Sequence, residues 1–107
     1  MEDAAAMQWF MIVANDVADS APLRAEHRDA HRARIESMTE EGRILTAGPL
    51  PIDPADPDRG LSGSLIVAAF EDLESARRWA ESDPFAVGGV YASVDVRPYK
   101  PIFGATG

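Results

Sequence analysis

The sequence predicts an α+β domain with elements in the order β-α-β-β-α-β, its four strands in one antiparallel sheet and its two helices on one face. Three observations predict it. Four short strand-like runs alternate with two helix-like stretches in that order. The first and third runs are apolar at nearly every position. The fourth alternates apolar and polar residues. A strand covered on both faces reads as a continuous apolar run, and a half-buried strand alternates. Runs one and three therefore belong at the centre of the sheet and two and four at its edges, the split βαβ arrangement of ferredoxin-like folds.

The first strand covers residues 7–14 (MQWFMIVA). A helix follows over 21–41, with Ser20 at its cap, Pro22 in its first turn and Gly42 ending it. The second strand is 43–48 (RILTAG). Residues 49–61 hold Pro49, Pro51, Pro54, Pro57 and Gly60 with three aspartates, and read as a surface loop. The third strand is 64–70 (SLIVAAF). The second helix spans 73–82, capped by Asp72, with Leu73, Ala76 and Ala80 as its apolar stripe. Asp83-Pro84 stops it, because the residue before a proline is pushed out of helical conformation. The fourth strand is 90–96 (VYASVDV). Residues 1–107 read as one domain with its core at 7–103, a short acidic start and an irregular tail from Pro98 onward.

Composition narrows the chemistry. With 107 residues, 46% of them hydrophobic, the chain is long enough to bury a core without staples. It has no cysteine, which excludes disulfides, thiolate metal sites and a cysteine nucleophile. Ten Lys+Arg against eighteen Asp+Glu give a net charge of −8, which argues against nucleic acid as a partner. No apolar run approaches the roughly 20 residues that cross a membrane. The first seven residues lack the basic and apolar regions of a signal peptide, so a cytoplasmic location is expected. No Walker, GxGxxG, GxSxG or HExxH pattern is present, and neither a cofactor nor a metal is expected.

The two-sided strands bear on assembly. If both helices cover one sheet face, the other carries about half of the apolar residues of the central strands. A second copy placed sheet against sheet covers it most simply, giving a symmetric homodimer. The alternative is that the C-terminal tail, with Tyr99, Ile102 and Phe103, folds over that face.

The first helix is the unusual element. Residues 24–34 (RAEHRDAHRAR) hold four arginines and both histidines of the chain. Arg24, His27, His31 and Arg34 fall within about 80° of one another around the helix, and Ile35 and Met38 extend the same side. One end of the core-facing stripe is thus basic. Such an end either faces water, with ordinary i,i+4 pairs, or lines a pocket with acidic partners or an anionic ligand. His27 and His31 have metal-ligand spacing, but no third ligand is identifiable. Asp83-Pro84-Phe85 and Ser62-Gly63-Ser64 lie at element boundaries, where a carboxylate and a hydroxyl can serve a site.

From about Phe10 to Phe103 the chain resembles the YCII (YciI-like) family. The resemblance rests on Arg28, Ala30, His31, Ala33 and Arg34, on EGRILTAGPLP from Glu41 and on SGS from Ser62. It continues in WAESDPF from Trp79, GVY from Gly89 and VRPYKPIF from Val96. It implies a dimer of the dimeric α/β-barrel type, similar in shape to muconolactone isomerases. It also implies a His-Asp catalytic pair, which falls on His31 and Asp83, and leaves His27 without a counterpart. One branch of the family removes chloride from a chlorinated hydroxyhydroquinone.

The resulting expectation is a cofactor-independent enzyme with His31 as general acid or base, oriented by Asp83. Its chemistry would be isomerisation, elimination or dehydrochlorination of a small anionic or phenolic substrate. Arg28, Arg34, Ser64, Phe85 and Tyr91 are the expected substrate contacts: cations, hydrogen-bond donors and an apolar wall. The alternative is a non-catalytic dimeric module that binds a small anion, and a third is a purely structural partner.

Overall fold

The two apolar runs lie side by side in the middle of one antiparallel sheet. The computed structural model describes residues 7–104. In chain order the elements are β1 (Gln8–Asp16), α1 (Ala21–Glu40), β2 (Ile44–Pro51), β3 (Leu61–Phe70), α2 (Leu73–Glu81), α3 (Pro84–Val87) and β4 (Tyr91–Pro98). The sheet order is β2-β3-β1-β4, so the alternating and proline-bearing strands are the edges. Ile12 pairs with Ile66 across the centre and with Val96 on the other side.

Side chains two apart share a sheet face. Phe10, Ile12, Ile66, Ala68 and Phe70 point under the helices and form the core with Met38 of α1 and Ala76 and Ala80 of α2. Phe70 packs edge-on against Phe10 and tilted against Trp79. α1 lies over the β2 side of the sheet and also touches α3, while α2 covers β4, β1 and β3. The same period of two carries Asp16, the last residue of β1, onto the helix-covered face.

Helix α1 ends one residue earlier than the sequence suggests, in a Schellman motif. Gly42, at φ +74, donates to the Thr39 carbonyl, and Arg43 donates to that of Met38. Ser20 sits at the N-cap position but makes no capping bond; its hydroxyl donates to Asp16 Oδ2 at 2.6 Å. Asp72 does cap α2, accepting from the Ser75 amide at 2.8 Å.

β2 runs to Pro51, beyond the expected end at Gly48. Pro49 and Pro51 are tolerated there because the strand is an edge and has one side free of ladder bonds. The expected long loop is therefore a shorter connection, organised by Asp53 and Asp56 side chains that accept from the Ala55 and Asp58 amides.

The opposite sheet face carries Trp9, Met11, Val13, Leu65 and Val67, with no helix over it. The tail as far as residue 104 does not fold over it. Tyr99 extends the edge by donating to the Trp9 carbonyl, but Ile102 and Phe103 are 61% and 90% exposed. No described helix is long and apolar enough to cross a membrane.

Candidate active site

Asp83 occupies the corner where α2 gives way to α3. Pro84 forbids the longer helix, and Asp83 becomes the N-cap of the next, accepting from the Phe85 amide through Oδ1 at 2.8 Å. The carboxylate is 1% exposed. Burial at that level requires partners. The second is His31, which reaches down from the middle of α1 and places Nδ1 2.8 Å from Oδ1 and 3.0 Å from Oδ2. Because the carboxylate already accepts the Phe85 amide, Nδ1 carries the proton and donates. Nε2 has no hydrogen-bond partner among the described residues, and the imidazole lines an open cleft.

The Phe85 ring fixes the imidazole plane. The two rings stack at a centroid distance of 3.9 Å and 11°. Two turns earlier on α1, Arg24 also lies against Phe85, its guanidinium carbon 4.9 Å from the ring centroid. Arg24 is buried and held by Asp16. Nε donates to Oδ2 at 2.6 Å and Nη2 to Oδ1 at 3.0 Å, a bidentate fork. Nη2 also reaches the Gly63 carbonyl and Ser64 Oγ, each at 2.9 Å. Gly63 has to lack a side chain here, since a Cβ would run into the Ala14 carbonyl of the neighbouring β1.

The cleft between α1 and the β2–β3 edge has a volume of about 380 Å³. Arg24, Ser64 and Phe85 line it with His31, and Ile35, Leu61 and Ile66 supply apolar wall. Arg28 and Arg32, both exposed, flank it from α1, and neither makes an ion pair among the described residues.

The expected site residues thus divide. His31 and Asp83 meet, and Arg28, Ser64 and Phe85 line the cleft beside them. Arg34 does not. It turns toward the end of α2, donating through Nη2 to the Trp79 carbonyl at 2.9 Å and to Ser82 Oγ at 3.2 Å. Its guanidinium lies over the Trp79 ring, and Nη1 stands 4.0 Å from Asp83 Oδ2 on the side away from the cleft lining. Burial lowers the Arg34 pKa, and Asp83 opposes that shift. Tyr91 also stays outside the lining; its ring meets Phe85 edge-on at 5.8 Å. His27 packs on Gly88, 3.9 Å from Glu26, away from the cleft. Among the described residues no group of three or more His, Asp or Glu side chains is placed to hold a metal ion.

Asp16 is the contributor that the sequence reading leaves out; Ser20 reads there only as a cap, and Arg24 and Arg32 only as part of the basic stretch of the first helix. The signal for Asp16 was present: a period of two from Ala14 turns an acid toward the core, eight residues before an arginine on a core-facing stripe.

A model of the YCII-related domain matches residues 8–100. The chain belongs to that family. "Protein YciI" of Escherichia coli is 47% identical over 96 residues, covering 88% of this chain and 98% of that one. An uncharacterized protein of Haemophilus influenzae is 41% identical over 97 residues, covering 89% and 99%. Among solved structures, this YCII domain superposes on 5-chloro-2-hydroxyhydroquinone dehydrochlorinase (TftG) of Burkholderia phenoliruptrix, in complex with 2,5-dihydroxybenzoquinone. The TM-score is 0.75 and the identity 27%, over 86% of this chain and 93% of that one. PA3566 of Pseudomonas aeruginosa shares the fold, with a TM-score of 0.51 and 12% identity over 91% and 95%.

The Tyr91 hydroxyl is buried without a hydrogen-bond partner among the described residues. Burial pushes its pKa from 10.0 up to about 12, against the opposing influence of the Ser64 hydroxyl. The folded state therefore holds this proton where the unfolded state loses it, and Tyr91 takes stability away as pH rises from about 10 to about 12. Tyr91→Phe should abolish that alkaline loss and leave stability at neutral pH equal or higher, since it deletes an unpaired polar atom. Urea unfolding at neutral and alkaline pH checks both. A variant weaker at neutral pH contradicts the unpaired hydroxyl.

Proposed function

We propose that this YCII-related protein is an enzyme that uses His31 and Asp83 to move a proton on a small anionic or phenolic molecule, without metal or organic cofactor. The observation that carries this reading is the asymmetry of His31: one ring nitrogen is committed to a buried carboxylate and the other is unspent and opens on the cleft. Asp83 keeps the proton on Nδ1, so Nε2 has a lone pair for a substrate hydroxyl or an acidic C–H. It also stabilises the imidazolium that forms. The imidazolium then returns the proton to another atom of the substrate, as in isomerisation, or to solvent when a chloride leaves. Imidazole suits this exchange at neutral pH. The cleft suits a single ring: its walls are apolar, and Arg28 and Arg32 bring positive charge to a molecule of net −8. The likeness to a dehydrochlorinase of a hydroxylated aromatic ring supports the same class of substrate. With no cysteine, the composition suits a cytoplasmic setting.

The first assay is chloride release from 5-chloro-2-hydroxyhydroquinone, extended to other hydroxylated aromatic acids. On whichever substrate turns over, His31→Gln and Asp83→Asn should lower kcat by about 10²–10⁴-fold. Wild-type turnover by His31→Ala overturns the proposal. Binding retained by His31→Gln, with no turnover of any substrate by the wild type, would instead identify a module that holds small anions.

The same proposal includes a homodimer through the open sheet face. Trp9, Met11, Val13 and Leu65, each partly buried, form an apolar surface there over which no described helix lies, and a second copy matches it by symmetry. Sedimentation equilibrium should give a dimer for the wild type and a monomer for Val13→Glu, which puts a charge at the centre of the face. A wild-type monomer at high concentration contradicts the dimer.

A further inference from the structure

We infer that Arg24 and Ser64 form an oxyanion subsite at the floor of the cleft, so that the molecule bound there is held as its ionised phenolate or enolate with that oxygen on Arg24 Nη1 and Ser64 Oγ. The inference rests on the reading of the cleft as the substrate site.

Arg24 is only 6% exposed, and a guanidinium buried to that degree is not a solvated surface charge. Its fork is fixed by Asp16, and Ser20 fixes Asp16 in turn. Nε and Nη2 are spent on Asp16, Gly63 and Ser64. Nη1 makes no hydrogen bond among the described residues, yet it is not fully buried, as Arg34 Nη1 is. Arg24 lines the cleft, and the two N–H groups of Nη1 are its unspent donors among the described residues. Ser64 Oγ accepts from Arg24, and its proton meets no hydrogen-bond partner of good geometry among the described residues, with the Tyr91 hydroxyl as its other neighbour. Three donors therefore converge at one place, held in position before any ligand arrives.

Their charge suits an oxygen that gains negative charge in place. The Asp16 carboxylate offsets most of the Arg24 charge at a distance, while the N–H groups remain close-range donors. Such preorganised donors stabilise an oxyanion more than the neutral hydroxyl it comes from. The other charged groups facing the cleft, Arg28, Arg32 and Glu36, all lie on α1, and β2, β3 and α3 present uncharged residues. His31 shares the wall, with Asp83 behind it. Arg24 and His31 are seven residues apart, on one side of the helix with about 10 Å of rise between them, and both lean on Phe85. A single six-membered ring fits between them, with an oxygen on Arg24 and a reacting atom toward His31 Nε2.

The probe is 4-nitrophenol, whose phenolate absorbs in the visible and which ionises near neutral pH. The wild type should bind the phenolate roughly tenfold or more tightly than the phenol, lowering the ionisation midpoint of the bound probe by about one unit. Ser64→Ala should weaken that preference severalfold. Arg24→Met combined with Asp16→Asn should abolish it, removing both buried charges together so that neither is stranded; circular dichroism confirms the fold. His31→Gln should keep the preference, because the donors are Arg24 and Ser64. That result separates the two claims: turnover unaffected by His31 loss defeats the proton-transfer reading and leaves the subsite standing. The subsite is overturned if the wild type shows no preference for the phenolate. It is equally overturned if the folded double variant keeps the preference and Arg28→Gln with Arg32→Gln loses it, since the anion is then held at the mouth.

Discussion

A buried carboxylate must be met by donors, and in this protein two such requirements arrange the rest of the site. Asp83 caps α3 and receives His31; Asp16 ends β1 and receives Arg24 and Ser20. Both basic partners come from α1. The helix is thereby anchored at two points along one side, over the β2 half of the sheet, and the cleft opens along the stretch between them. Losing Arg24 alone leaves the Asp16 carboxylate, and losing His31 alone leaves that of Asp83, without its partner, with a cost of about 3–5 kcal/mol typical of such losses. The anchoring therefore belongs to the fold as much as to the chemistry.

The two pairs leave complementary groups unspent. Asp83 takes one nitrogen of His31 and frees the other; Asp16 takes two nitrogens of Arg24 and frees the third. An acceptor and a set of donors then face one small volume walled by Phe85, Ile35, Leu61 and Ile66. Proton transfer needs a base near the proton and stabilisation of the charge its departure creates. In the proposed reading His31 is the base and Arg24 with Ser64 the stabilising donors, a division that the hydrogen bonds of the two carboxylates suit.

Much of this was legible in the sequence because burial leaves a period. The continuous apolar runs placed β1 and β3 at the centre, and the alternation in residues 90–96 placed β4 at an edge. Asp72 was readable as a cap, and Asp83-Pro84 as a stop. The motif resemblance placed His31 and Asp83 together although they are 52 residues apart, which local physics could not do. The departures have local causes. A helical wheel gives the direction of a side chain's base, and a long side chain chooses its own end point. Arg34 starts on the cleft side and ends on the Trp79 carbonyl and ring. Tyr91 is screened from the cleft by Phe85. Ser20 reads as a cap from composition, but its backbone is already helical (φ −75, ψ −9) and its hydroxyl turns to the Asp16 carboxylate. The prolines of β2 look like a loop until the strand is known to be an edge.

The central claim is that Asp83 holds His31 with its proton on Nδ1 and its Nε2 free. The most direct test is the long-range ¹H–¹⁵N correlation spectrum of the two imidazoles, recorded for the neutral ring in the wild type and in Asp83→Asn. The account predicts the Nδ1–H tautomer for His31 in the wild type. In the variant it predicts a shift toward Nε2–H, because the neutral amide no longer holds the Nδ1 proton with a charge and its nitrogen replaces the oxygen 3.0 Å from Nδ1. His27 should be the same in both spectra. A wild-type His31 in the Nε2–H form, or a spectrum unchanged by the substitution, would contradict the account.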